Sequence, residues 1–244
     1  MIALISLLFL SHALADYVLQ TNRIYRFKTR SLWGGVLHAS IFAIVAILLT
    51  WPLAQSFPVF LLWVFLTTAS HVVIDHFKLK LDRTLVPIAF VFFCLDQFLH
   101  LLILLTVMWV AMPGYEPVLQ SNFIYECLRH YDATLSWTVF VKSGFILGLC
   151  IYVAYAVEIL LFYYDRSVDS NLRLLRYAYG RMGVRMITVI LLTTPLWSLS
   201  FGILIFRYFW DKWRLVYDQR RFAIEHGFTL AILLGYIILE RRFF

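Results

Sequence analysis

The chain has 244 residues, of which 62% are apolar and 14% charged, and its mean hydropathy is +0.82. A water-soluble domain carries about 25% charged residues to cover its surface, so these values exclude one and place the chain in a lipid bilayer. The net charge of +7 sits in short loops with no basic-aromatic module, a pattern that suits anionic headgroups and argues against a nucleic-acid partner. Cys94, Cys127 and Cys150 show neither pairing nor CxxC spacing and read as apolar fillers.

A membrane-crossing helix needs about 20 largely apolar residues. Runs of that kind cover 2–18, 32–51, 57–77 and 86–112 and, after a polar stretch, 135–164, 186–206 and 222–239. They lack the alternating polarity of barrel strands, so the expected class is all-α: a polytopic transmembrane bundle of six to seven helices. Trp33, Trp51, Trp109 and Trp137 lie near run ends, where interfacial aromatics fall. Ala13-Leu14-Ala15 in the first run resembles a signal-peptidase site. No Lys or Arg occurs in residues 1–10, however, and Arg23, Arg26, Lys28 and Arg30 follow the run. That order predicts a retained helix whose C-terminal end faces the cytoplasm.

The later loops extend this orientation. Lys78, Lys80 and Arg83 mark the third loop, and Arg166, Arg173, Arg176 and Arg181 the fifth. The fourth holds Glu116, Glu126 and Asp132 against Arg129. Loops one, three and five are therefore expected in the cytoplasm, in a multi-pass membrane protein. A single span over 186–206 would leave Arg207, Lys212, Arg214, Arg220 and Arg221 outside. Pro195 interrupts that run, and a re-entrant helical hairpin turning at Thr194-Pro195 would return these charges to the cytoplasm; a single kinked span is the alternative. Phe206, Trp210, Trp213 and Tyr217 would then form one stripe of an interfacial helix. The expected organisation is a four-helix core over 1–112, a periplasmic loop over 113–133 and a C-terminal helical membrane region over 134–244.

Besides His76, seven His and Asp residues fall inside the first four runs: His12, Asp16, His38, His71, Asp75, Asp96 and His100. Each costs about 2.5–3.5 kcal/mol at a bilayer centre on insertion scales where it is charged, so partners and a function are expected. His12/Asp16, His71/Asp75 and Asp96/His100 are each four apart, one turn along one helix face. The first and third helices run inward and write His before Asp; the fourth runs outward and writes Asp before His. All three thus place His in a deep layer and Asp in a shallow one, and His38 reaches a similar depth. Four imidazoles and three carboxylates suit one or two divalent transition-metal ions, Zn²⁺ first, with Mn²⁺ or Fe²⁺ as alternatives. Gln20, Gln97 and Lys78 flank the pairs as donors or substrate contacts, whereas His76 points to another face. The competing reading is a set of His–Asp pairs that only lock helices together. Glu158 reads as an ion-pair partner for a basic residue such as Arg185, while no spacing gives Glu225 or His226 a partner.

The strings FLSHALADYVLQT (9–21), SHVVIDHFK (70–78) and LDQFLH (95–100), together with His38, resemble the DUF3307 family of bacterial inner-membrane proteins of unknown function. GVRMITVILLTTPLWSLSFGILIFRYF (183–209) and RRFAIEHGFTLAILLGYII (220–238) look like the family's long form. The arrangement is also distantly similar to membrane-bound metal-dependent hydrolases, which implies hydrolysis by analogy only.

Two functions follow as expectations. As an enzyme, the protein would hydrolyse a lipid or another phosphoester, with Asp16 or Asp96 as base and Lys78 meeting the anion. As a transport or accessory protein, the cluster would bind a metal ion or proton, or would only hold helices together. The apolar stretches 41–49 and 101–108 offer no continuous polar conduit, which favours the enzyme. The bilayer itself is the partner expected; composition identifies no protein partner or homo-oligomer.

Overall fold

The computed structural model describes residues 2–84, 88–110, 115–168, 179–192, 203, 223–227, 229–231, 234–235 and 237. Helix dominates, and no strand occurs among the described residues. The chain divides into two compact units, Met1–Gly148 and Leu149–Phe244.

The first unit opens with α1 (Ile2–Ala13), which passes directly into a π-helical turn, Leu14–Val18. There the Leu19 amide donates to the Leu14 carbonyl, five residues back, at 2.8 Å. Thr21 then caps α2 (Asn22–Arg30), which leaves at 87° to the preceding segment. Four basic residues make α2 too polar to cross lipid, and its amphipathic pattern suits an interface. Ser31 starts α3 (Leu32–Leu49) by accepting a hydrogen bond from the Gly34 amide at 3.0 Å. Gly34 is required there because a Cβ would collide with the backbone of Phe27 and Lys28.

The bundle continues with α4 (Trp51–Ser56), α5 (Pro58–Thr84), α6 (Ala89–Leu105) and α7 (Val107–Val110). The stretch read from sequence as a polar loop holds two short helices, α8 (Tyr115–Gln120) and α9 (Phe123–Tyr131). Buried Tyr115 packs against Phe57 with the rings tilted by 48° and centroids 4.4 Å apart, and Asn122 both caps α9 and donates to the Leu49 carbonyl at 2.7 Å. The long helix α10 (Trp137–Val168) begins in this unit, and its Gly148 lets it approach α1. A Cβ at Gly148 would lie 3.2 Å from the Leu10 Cα, the close contact that small residues permit between membrane helices.

Four helical segments are long and apolar enough to cross a membrane among the described residues: Leu32–Leu49, Pro58–Asp82, Ala89–Trp109 and Trp137–Arg166. Counting Ile2–Val18 with α2 as one bent span makes five, fewer than the six to seven expected. The shortfall lies in runs 186–206 and 222–239. The Thr194-Pro195 turn, the stripe from Phe206 to Tyr217 and part of the last run fall outside the described residues.

An apolar core fills one end of the first unit, around Leu4, Leu8, Phe42, Phe60, Trp63 and Leu104. The polar positions 12–16, 38, 71–75 and 96–100 lie on the same helices. A cavity of about 540 Å³ opens between α3 and α5, bordered by Val36, Ala43 and Ile47 on one side and Leu61, Phe65 and Val72 on the other.

The second unit contains the rest of α10, α11 (Tyr179–Leu192) and a helical stretch at 223–227. Arg185, 2% exposed, bonds Glu158 at 2.9 Å, as the sequence suggests, and also Glu225 at 2.6 Å. Arg181 holds the same Glu158 through two bonds of 3.1 and 3.0 Å.

Candidate metal centre

All seven ionisable positions meet at one place in the first unit, and each is less than a tenth exposed. His12 comes from α1, Asp16 from the π turn, His38 from α3, His71 and Asp75 from α5, and Asp96 and His100 from α6. The apolar residues between them face lipid or the core, so the i,i+4 spacing turns the paired side chains inward.

The four imidazoles form one contiguous layer. His71 is its centre, with ring centroids 4.2 Å from His100, 5.1 Å from His38 and 5.9 Å from His12. The π turn carries Asp16, and His12 Nδ1 and Asp16 Oδ1 are 3.7 Å apart. The same Asp16 oxygen lies 3.5 Å from both His38 Nε2 and His71 Nε2.

Two triangles of donor atoms share the His38–His71 edge, where the Nε2 atoms are 3.3 Å apart. Asp16 Oδ1 completes one, with edges of 3.5 and 3.5 Å, and Asp75 Oδ2 the other, with edges of 3.6 and 3.3 Å. A tetrahedral ion with bonds of 2.0–2.1 Å needs donors about 3.3–3.4 Å apart, and either triangle is close to one face of such a tetrahedron. Asp75, Asp96 and His100 form a further group of candidate ligands, as do His12, Asp16 and His71. These buried groups can hold a metal ion.

The hydrogen bonds around His100 fit the same role. Its Nδ1 lies 2.8 Å from the Asp96 carbonyl oxygen, which can only accept, so Nδ1 carries the proton and Nε2 presents a lone pair. That Nε2 is buried without a hydrogen-bond partner, and so is His12 Nε2. Buried orphan nitrogens are costly unless something else meets them.

A shell of donors supports the carboxylates. The Tyr17 hydroxyl donates to Gln97 Oε1 at 2.6 Å, and Gln97 Nε2 donates to Asp96 Oδ2 at 2.9 Å. Lys78 Nζ stands 3.8 Å from Asp96, 3.9 Å from Asp82 and 5.4 Å from the Phe93 ring centroid. Lys28, reaching in from α2, lies 2.6 Å from Asp75 Oδ2 and donates to Gln20 Oε1 at 3.3 Å. Gln20 itself donates to the Asp16 carbonyl at 3.2 Å. His76 is exposed, as its register predicts.

Sequence reasoning missed Lys28, Tyr17 and Asp82. Lys28 is one of four basic residues in a nine-residue stretch, where every cation reads as an interfacial charge. The buried Asp75 called for a cation, but no spacing selects this one.

The profile of the family described as a protein of unknown function, DUF3307, matches residues 4–127, just over half of the chain and all seven candidate ligands. Neither the curated proteins nor the solved structures contain a match. The chain belongs to the DUF3307 family.

Proposed function

We propose that this protein is a membrane-embedded, metal-dependent hydrolase acting on a phosphoester at the lipid interface, with the His/Asp cluster as its metal centre. The observation that carries the reading is the pair of donor triangles on the His38–His71 edge, next to two lysines. Donor separations of 3.3–3.6 Å exceed the roughly 2.8–3.0 Å between neighbouring ligands of an octahedral ion with bonds of 2.0–2.1 Å, which favours tetrahedral Zn²⁺ over Mg²⁺. Mn²⁺ and Fe²⁺ are the alternatives. Three protein donors with one further position match the catalytic pattern. A divalent ion supplies an acidified water and polarises a phosphoryl oxygen when bound.

The remaining work falls to the chain. Asp96, oriented by Gln97 and Tyr17, accepts a proton from the attacking water; Asp16 is the other candidate base. Lys78 meets the phosphoryl charge. The groove between α3 and α5 supports a lipid substrate. From Val36 to Ile47 it runs eleven residues, about 16 Å of helix. That is about half of a 30 Å hydrocarbon core, the depth of one leaflet. An acyl chain lying there keeps the headgroup near α2 and the lysines. The membrane is a bacterial inner membrane, crossed six or seven times, with the lysine side in the cytoplasm.

Purified without chelator, the wild-type protein is expected to retain a transition metal, and His71→Ala or Asp75→Ala to lose most of it. Metal-loaded protein is expected to hydrolyse one phosphoester bond of a lipid in a panel of membrane phospholipids, giving an alcohol and a phosphate product, and Asp96→Asn to stop hydrolysis while retaining metal. Wild-type protein from metal-replete growth that is stable yet carries no metal would return the cluster to a helix lock.

A further inference from the structure

The reading of a metal centre leaves open how many ions it takes, and here Lys28 matters. Its ammonium lies 2.6 Å from Asp75 Oδ2, the same oxygen that stands 3.3 Å from His71 Nε2 and 3.6 Å from His38 Nε2. The side chain is only 8% exposed, so the interaction is a buried ion pair and not a surface contact. Three features aim it. The 87° bend after the π turn lays α2 across the end of the bundle, Gly34 lets its backbone rest on α3, and Gln20 Oε1 holds the ammonium from the side.

Resting on the metal-centre reading, we propose that Lys28 is a tethered cation standing in for a second metal ion, so that the centre takes a single divalent ion on the His38–His71 edge. Charge supports this. With neutral imidazoles, Asp16, Asp75 and Asp96 carry three negative charges against the ammoniums of Lys28 and Lys78. One divalent ion moves that balance from one negative to one positive, and a second would raise it to three positive. Counting Asp82, which shares Lys78 at 3.9 Å, one divalent ion cancels the charge of these described groups. In either count a second ion overshoots, inside a bilayer where unbalanced charge is expensive. Without Lys28 the balance falls by one charge, and Asp75 is free to join Asp96 and His100 as a further ligand group.

The test is metal stoichiometry and affinity, by elemental analysis and by competition with a zinc chelator, on full-length protein in detergent. Wild type is expected to hold one ion per chain. Lys28→Met is expected to hold a second, or to bind zinc more tightly by about ten- to a hundredfold, the range by which groups just outside the ligands tune affinity. Lys28→Gln, which keeps a polar contact with Asp75, serves if the methionine variant folds poorly. Two ions in wild type with Lys28 intact, or unchanged count and affinity in both variants, would overturn the stand-in role while leaving the metal centre standing. No metal in wild type would bring down both.

Discussion

Arg185 and its two carboxylates show what a buried charge requires of its neighbours. Glu158 and Glu225 both reach the guanidinium within 3 Å, and Arg181 supports Glu158 from a half-exposed position. Removing one member of a buried ion pair costs about 3–5 kcal/mol, whereas replacing a whole pair by apolar groups is often neutral. Glu225→Leu is expected to destabilise the protein by about 3 kcal/mol, read by denaturation in mixed micelles, and Glu225→Leu with Arg185→Met to recover much of the loss through the remaining Arg181–Glu158 pair. At this scale the sequence is legible where a charge is out of place. His12, His38, His71 and the three aspartates stand out because each interrupts an apolar run. Lys28 does not, because it lies where ordinary interfacial charges are found, and only the fold decides which of several is turned inward.

Among the elements, the π turn and α2 do most to shape the cluster. The apolar runs made the spans of α3, α5, α6 and α10 readable, and their i,i+4 pairs made the inward face readable. The π turn was not readable: it changes the hydrogen-bonding register by one residue without demanding a particular side chain. Helices α8 and α9 were hidden for a different reason, since six and nine residues are too few to show a period and depend on packing by Tyr115 and Asn122. The contact between α2 and α3 gives a direct test of how α2 is held. Gly34→Ala forces the Phe27–Lys28 backbone away and is expected to cost about 1–3 kcal/mol and to expose Lys28 to amine-reactive labelling. Gly35→Ala, whose Cβ would meet only Val72 Cγ1 at 3.9 Å, is the matched control and is expected to leave both unchanged.

Across the whole molecule, the chain writes His before Asp in α5 and Asp before His in α6, and the reversal brings like groups to like depth only if neighbouring helices run in opposite directions. The imidazole layer centred on His71 agrees with that alternation. The topology proposed above for the C-terminal half rests instead on its basic residues. A reporter fused after Arg214 is expected to behave as cytoplasmic and one fused after Phe244 as periplasmic; the opposite pair of results would leave 186–206 as a plain span.

Synthesis runs from one end of the chain to the other, and this gives the Arg185 network a history. Glu158 precedes Arg185 by 27 residues and Glu225 follows it by 40. When α11 leaves the ribosome its arginine therefore meets one counter-charge already made, while the other lies about 2–8 s in the future at ordinary elongation rates. Arg185 can therefore pair with Glu158 first, and Glu225, made later, joins a guanidinium that one carboxylate already holds.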